Sequence, residues 1–572
     1  MVFDTTTTRL RSAVLLVLVA LLAGVAGVAG SYAIAGFTPA FVVAPIATFT
    51  SQTMPGAVVT FAITTFGELG DLLNLVTAIG LAVGLLAATT LTALVVGRAL
   101  DVGRRDASMI AVWLTAALGW VAAFVVTMAP VPALGAGVGT GAVVAAGELA
   151  AGTRADDGQD VSSGRRGVLG SVAGTLGLGV LGYLLGNRQD TGTAAAPIGS
   201  DGADGDSAAT AGGASGDAGT TGDAGADEAG TAGDDTDGRS TEDDAGGEPP
   251  TDGAGDGSGA QGGRLSIEEL LALAEERSLG IEGLEGLVSG EDFYEVDIYN
   301  VDPKLAADDW TLSVTGAVEE EIEFTYDDLR GMEPENRFES LRCVGEGLNG
   351  KKMDNALWTG VPIPAVIEQA NPQGEYVVLR DGDGYFEEFS AAALETGLLA
   401  YGKDGSTLPR GHGFPVRALI PGHWGEINVK WIEEIEISTE EVTGYWEERG
   451  WHGTGPVNTV AKLHATGRLD DGRLQVGGHA YAGTRGVETV EVSTDGGDSW
   501  NDATLSERLP EAYGTDVWRQ WAYDYQPPDG EHTVVVRATD GTGTLQPKEE
   551  SGAFPNGPSG WVSKSIDPSG IS

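Results

Sequence analysis

A chain of 572 residues with 33 Lys and Arg against 83 Asp and Glu carries a formal charge of −50. That excess of acid excludes nucleic-acid binding, because the phosphates would be repelled. Mean hydropathy is nevertheless −0.02, which is possible only if apolar and acidic residues are segregated along the chain. They are: residues 10–186 are almost purely apolar, and residues 187–572 hold most of the acid. The length allows two or three domains beside a membrane region, and the acid excess suits solubility in concentrated salt, the mark of a halophilic chain.

In chain order, five runs are long and apolar enough to cross about 30 Å of hydrocarbon. They are predicted at about 12–34, 72–96, 107–128, 131–151 and 167–186. The apolar stretch from Phe41 to Phe66 is broken by Pro45, Pro55 and the polar run Thr48–Thr53, and reads as interfacial or re-entrant. Arg9, Arg11, Arg98, Arg104 and Arg105 flank the first helices. Placing these basic ends in the cytoplasm puts everything after residue 187 outside. The expectation is a multi-pass protein of the cell membrane whose domains 1–188, 189–263, 264–445 and 446–572 comprise a helical membrane domain, a linker and two extracytoplasmic domains.

Residues 189–263 are Gly, Ala, Asp and Thr with almost nothing apolar larger than alanine. Such a segment cannot offset its chain entropy by burial and is expected to be a disordered acidic tether. Residues 264–445 mix short strands and helices in the manner of an α+β domain. Residues 446–572 read as short strands with glycine turns, as in "VETVEVSTDGGDSW" and "HTVVVRATDGTG", and predict an immunoglobulin-like β-sandwich.

The chemistry centres on Cys343, the only cysteine, in "SLRCVGEG". It has no disulfide partner and no second thiol for a zinc site. A lone cysteine is commonly an inert core residue, but Arg342 is placed to favour the thiolate, and glycines 345, 347 and 350 allow close approach of a bulky group. "SLRCVGEG…NALWTGVPI" resembles the molybdenum-binding segment of the sulfite oxidase family. Four further segments resemble that family in the same order: Glu291 to Glu295, "WTLSVTGAVEEEIEFTYDDL", "LLAYGKDGSTLPRGHGFPVRALIPGHWGEINVKWIEEI" and the final sandwich.

The resemblance implies a molybdopterin-dependent oxidoreductase in which Cys343 is the protein ligand to a mononuclear molybdenum. It also implies Tyr385 as a catalytic phenol and Tyr294, Glu295, His412, Arg417, Asn428, Val429 and Lys430 around the pterin, with His412, Arg417 and Lys430 as cationic donors to its phosphate. It further implies a homodimer through the C-terminal domain, with Trp518 and Trp521 as exposed candidates for the contact. Where animal and plant sulfite oxidases follow the cysteine with "AGNRR", this chain has Gly345-Glu-Gly-Leu348, so an acid stands where a cation would attract sulfite. The direction of oxygen-atom transfer, and the choice among small sulfur and nitrogen oxo compounds, stay open.

All six histidines lie at 412 or beyond and no CxxCH motif occurs, so no haem is expected in this chain. Electrons are expected to pass to a separate carrier, a cytochrome or a blue copper protein. "SSGRRGVLGSVAGTLG" around Arg165 and Arg166 resembles a twin-arginine export signal, although paired arginines also flank ordinary spans. The alternative function is a cofactor-free surface adhesion protein built on the sandwich.

Overall fold

A computed structural model describes residues 2–66, 68–99, 104–152, 163–187, 264–290, 292–299 and 301–571. The tether expected at 189–263 lies outside the described residues.

Seven helices form the N-terminal part: α1 (Val2–Ala35), α2 (Ala44–Thr53), α3 (Gly56–Phe66), α4 (Glu68–Ala99), α5 (Arg104–Thr127), α6 (Pro130–Gly152) and α7 (Ser163–Gly186). Five contain apolar spans long enough to cross a membrane: Ala13–Ala35, Leu72–Gly97, Ser108–Thr127, Pro130–Ala150 and Val168–Gly186. The helices α2 and α3 have only 10 and 11 residues, too short to cross at 1.5 Å per residue. They break at Met54-Pro55, where Pro55 cannot donate into a continuing helix. Phe41, Val42, Val43 and Ala47 pack with Ala78, Ala82 and Ala136 in one buried cluster, so the hairpin is part of the bundle.

Helices α1 and α6 touch backbone to backbone. A Cβ built on Gly30 would stand 2.1 Å from the Gly135 carbonyl oxygen, and one on Gly135 would stand 2.1 Å from that of Gly30. Between apolar helices in lipid, such close approach supplies the packing that the hydrophobic effect does not.

The chain resumes with α8 (Ile267–Arg277), opened by a capping box between Ser266 and Glu269. A mixed sheet follows, in the order β2 (Ile322–Thr325), β1 (Thr311–Gly316), β10 (Ile432–Ser438), β5 (Tyr376–Asp381) and β6 (Phe386–Ser390). The parallel pair β1 and β10 sits at its centre, and the alternation of "IEEIEIS" in β10 turns Ile432, Ile435 and Ile437 into the core. The second sheet is β3 (Glu335–Arg342), β4 (Met353–Pro362), β7 (Leu398–Lys403) and β8 (Ser406–Thr407), with β9 (Arg417–Leu419) on β7. Short helices α9 (Tyr326–Arg330) and α10 (Ile363–Ile367) connect these strands.

After residue 456 there are two antiparallel sheets. One holds β11 (Val460–Ala461), β12 (Ala465–Arg468), β13 (Leu474–Tyr481), β16 (Thr504–Leu505) and β17 (Arg519–Tyr525); the other holds β14 (Val487–Ser493), β15 (Asn501–Asp502), β18 (His532–Asp540) and β19 (Val562–Ile566).

One expectation is corrected. Trp518 and Trp521 are not exposed: they are 1% and 0% accessible. Their indole N–H groups donate to the carbonyls of Leu287 and Lys462, each at 3.0 Å. The side of Trp518 also takes the segment after α8, since the Gln520 side chain accepts from Leu279 N–H and donates to Glu285 O. An aromatic in a strand next to such a segment is buried by it, which alternation alone cannot reveal.

Inserting a branched side chain at the α1–α6 contact overpacks it, at about 1–3 kcal/mol or more. Gly135→Leu is therefore expected to lower the melting temperature of the full chain in detergent, while Gly80→Leu, at a position with open space around it, leaves it near the original; differential scanning fluorimetry compares the two.

Candidate functional site

The β3 strand ends at Arg342 and delivers Cys343 to the start of a loop that Cys343 N–H closes on Lys352 O at 3.0 Å. Inside the loop Glu346 accepts from Arg342 Nε at 2.8 Å, from Lys462 Nζ at 2.7 Å and from Lys352 N–H at 3.1 Å. All three side chains, Arg342, Glu346 and Lys462, are essentially inaccessible. The Arg342 guanidinium also lies 4.8 Å from the Trp424 ring centre. Two expectations change here. Arg342 is spent on Glu346 and does not serve the thiolate, and Glu346 is a neutralised structural acid and does not present charge to a substrate. Burial pushes the Cys343 thiol up to about 11, against the opposing pull of Lys352 and the Gly345 N–H. Such a thiol is neutral near pH 7 and ionises when a metal ion takes the place of its proton.

Cys343 opens onto a cavity of about 910 Å³. Of the nine residues singled out in the sequence, seven line it: Tyr294, Glu295, Cys343, Tyr385, Arg417, Asn428 and Lys430. His412 and Val429 do not. Val429 is 1% accessible and its carbonyl accepts from Ala418 N–H. His412 is buried edge-on against Phe293, and desolvation, then Arg417, Lys430 and Lys403, hold its pKa down at about 2. In this state it is a neutral imidazole and not the third cation that the sequence suggested.

Arg417 reaches the cavity from β9. Its terminal nitrogens donate to His412 O at 3.2 Å and Asn428 O at 3.0 Å, and its plane stacks over Trp358. Its Nε is buried with no partner among the described residues, a donor awaiting an acceptor. Lys430 Nζ pairs with Asp297 at 2.9 Å. The Asn428 side chain is used structurally, donating to Trp424 O and accepting from Ile420 N–H. A partnerless guanidinium N–H beside a lysine suits a phosphate, and one thiol across the same cavity suits a soft metal. These donors fit a pterin-bound molybdenum.

Tyr385 donates to Glu426 O at 2.8 Å, and burial raises its pKa well above the ordinary phenol. Its loop is tied by Asp381, whose carboxylate accepts the N–H groups of Asp383, Gly384 and Tyr385 and the Tyr299 hydroxyl at 2.6 Å. Sequence reasoning passed over Asp381, although "DGDGY" carries the mark of an Asx turn. It also missed Asp297, Asp302, Glu426 and Trp451, which line the same cavity. Burial lifts Asp302 and Asp381 to about 6 and Glu426 to about 8.

The remaining wall comes from the membrane helices. Phe37, Met54, Val58, Val59, Ile63, Leu72 and Asn74 are among its members. A Cβ built on Gly345 would lie 3.3 Å from Ile63 Cγ2, 3.8 Å from Cys343 Sγ and 3.9 Å from Trp451 Cη2. Polar contacts cross the junction: Gln52 Nε2 of α2 donates to Asp383 O at 3.1 Å, and Arg410 Nη2 donates to Phe37 O, just after α1, at 3.2 Å. No one-dimensional pattern relates Ile63 to Cys343.

Residues 299–446 match the family described as "Oxidoreductase molybdopterin binding domain", and residues 457–554 match "Mo-co oxidoreductase dimerisation domain". Similar proteins include sulfite oxidase of Arabidopsis thaliana, 24% identical over 42% of this chain and 77% of that protein. Mitochondrial sulfite oxidase of Homo sapiens is 26% identical over 43% of this chain and 54% of its own length. NADH nitrate reductase of Solanum lycopersicum is 26% identical over 43% of this chain and 35% of its own length. The chain thus matches between a third and about three quarters of these relatives. Among solved structures, the sulfane dehydrogenase SoxCD from Paracoccus pantotrophus is similar at 20% identity and a TM-score of 0.42, covering 50% of this chain and 83% of that one.

Removing one partner of a buried ion pair leaves the others uncompensated, at a cost of about 3–5 kcal/mol. Glu346→Ala strands both Arg342 and Lys462 and is expected to destabilise the soluble region by that order. Urea titration of the full chain followed by tryptophan fluorescence measures it, and a loss below about 1 kcal/mol would contradict the buried clamp.

Proposed function

We propose, from a soluble region that belongs to the sulfite oxidase family of molybdopterin-dependent oxidoreductases, that this chain is a membrane-anchored enzyme whose catalytic part faces outward. It transfers an oxygen atom to or from a small sulfur or nitrogen oxo compound and exchanges electrons with a separate carrier. A homodimer formed through an immunoglobulin-like C-terminal sandwich completes the reading. The observation that carries it is the convergence on one cavity of Cys343 with Arg417 and Lys430.

In this reading the Cys343 thiolate binds the metal. Arg417, through its partnerless Nε, and Lys430 hold the pterin phosphate, with the neutral His412 behind them gaining a proton as the anion arrives. Bound there, a molybdenum pterin supplies two-electron oxygen-atom transfer. Tyr385 keeps its proton and orients the substrate oxygen. The Asp381 turn and the Glu426 carbonyl fix that phenol, and the hairpin α2–α3 excludes bulk water. Orientation is supported by the run of the helices: α1 ends near Phe37, which touches the soluble region, so the basic N-terminal end of α1 lies at the far side.

Substrate charge follows from the lining. Lys352, Arg417 and Lys430 stand against Glu295, Asp297, Asp302, Asp381 and Glu426. Once Arg417 and Lys430 are committed to phosphate, little positive charge remains for an anion. A neutral sulfoxide or N-oxide suits this cavity better than the sulfite or nitrate implied by the names of the relatives.

Metal analysis of the purified full chain is expected to give one molybdenum per chain. Cys343→Ser is expected to lose the metal–thiolate signature in molybdenum X-ray absorption while keeping its melting temperature. Changing only the groups that hydrogen-bond to a metal ligand costs about 10–100-fold, so loss of the ligand itself is expected to cost more than about 100-fold in turnover. Assays with methionine sulfoxide, trimethylamine N-oxide and sulfite are expected to favour the first two. A Cys343→Ser protein with unchanged turnover removes the assignment.

A further inference from the structure

We propose that the membrane-side half of the cavity above Cys343 is a binding site for a lipid-soluble quinone, which serves as the two-electron partner of the reaction. This rests on the reading just given and names its carrier.

The cavity is one continuous space with two unlike walls. The soluble side is polar, and the membrane side is built from Met54, Val58, Val59, Ile63, Leu72 and Leu75. Val58 and Leu72 are 47% and 54% accessible, so this apolar wall is open at two residues. Leu72 begins a span long and apolar enough to cross a membrane, and in a bilayer a ligand dissolved in lipid would reach the cavity from this side. At about 910 Å³ the space lies near the top of the range of about 300–1,000 Å³ for small-molecule sites, which leaves room beside a pterin.

Two polar features select the occupant. Trp451 lines the inner end, its side chain is 1% accessible, and its Nε1 is buried with no partner among the described residues. On α4, Asn74 donates to Ser51 Oγ at 2.6 Å and accepts from Thr50 Oγ1 at 2.7 Å; its amide has a second N–H. A polar side chain in an apolar span is costly and marks a functional position. A quinone is flat and uncharged, with two carbonyl acceptors on its ring and a long apolar tail. It satisfies a donor at the inner end while leaving the tail among Val58 and Leu72. A phospholipid would set its phosphate among Asp297, Asp302 and Glu426, or its tail against an unpaired indole N–H. A soluble protein carrier meets α2–α3, whose Gln52 donates to Asp383 O on this side of the cysteine.

The overall step balances. A quinol loses two O–H protons and two electrons and becomes the quinone. The oxo compound takes up the two electrons and loses its oxygen, and the two protons leave with that oxygen as water. In the reverse direction water supplies the oxygen and the quinone is reduced.

The test uses the full chain in nanodiscs of a neutral lipid, titrated with decylubiquinone, with decane as the apolar control. Saturable quenching of tryptophan fluorescence is expected, decane giving none. Ile63→Trp, which fills the space beside Gly345, and Trp451→Phe are each expected to weaken quinone binding about tenfold or more, with molybdenum content and melting temperature as fold controls. Quenching that never saturates, or is unchanged in Ile63→Trp, overturns the proposal, as does a tightly held lipid that the quinone cannot displace. Turnover with an artificial dye but no quinone binding overturns the quinone site and leaves the oxidoreductase reading standing. Quinone binding by a chain that takes up no molybdenum does the reverse.

Discussion

The site depends on one buried ion triad. Glu346 binds Arg342 at the end of β3 and Lys462 next to β11, and these groups have no solvent to turn to. Desolvating three charges costs least when they satisfy one another and further hydrogens reach carbonyls. Arg342 reaches Asn458 O and Lys462 reaches Gly350 O, each at 2.8 Å, while Arg342 Nη2 is buried with no partner among the described residues. Asn349 adds a two-way clasp with Leu463. The cysteine loop is thereby held from inside by its own glutamate and from outside by the C-terminal region. A thiol meant to meet a metal at one fixed point needs such support, because a glycine-rich loop has little stiffness of its own.

The same triad explains the one apparent misfit with relatives of this chain. The acid after the cysteine is not a charge aimed at the substrate. It belongs to the scaffold, and the charge that a substrate meets is set by Lys352, Asp302, Asp381 and Glu426 around the cavity. Burial raises Glu426 to about 8, which leaves it mostly protonated near neutral pH, while Asp302 and Asp381, raised to about 6, stay mostly ionised there.

Among the described residues, five helices are long and apolar enough to cross a membrane, more than the one span that an anchor would need. The bundle supplies a platform on which α2 and α3, too short to cross, lie against the soluble region. Small residues let α1 and α6 approach within backbone contact, and Phe41 to Ala47 are held in the bundle's own core. The hairpin is thus rigidly placed where it walls the cavity. Gln52 and Arg410 spend side-chain hydrogen bonds on main-chain carbonyls across that junction, which fixes its register.

Much of this was legible in one dimension because it rests on local physics. Apolar runs of about twenty residues mark five helices long enough to span a membrane, and Pro45, Pro55 and the polar run between them set residues 41–66 apart from these, since lipid admits few alternatives. Alternation in β10 and β14 marks strands, and "LRCVGEG", "HGFPVR" and "NVKW" mark the residues that end up around Cys343. What the sequence could not decide is where long-range partners spend their charge and surface. Arg342 precedes the cysteine by one position yet serves a glutamate four residues on, because both are buried together. His412 reads as a cation but is neutral, because its neighbours in space are cations and its surroundings are dry. Trp518 and Trp521 read as exposed but are buried, Trp518 against Leu287, more than 200 residues earlier, and Trp521 against Lys462. The approach of Ile63 to Gly345, two residues after the cysteine, joins the α2–α3 hairpin to the cysteine loop over a long stretch of chain, and only tertiary packing brings such positions together.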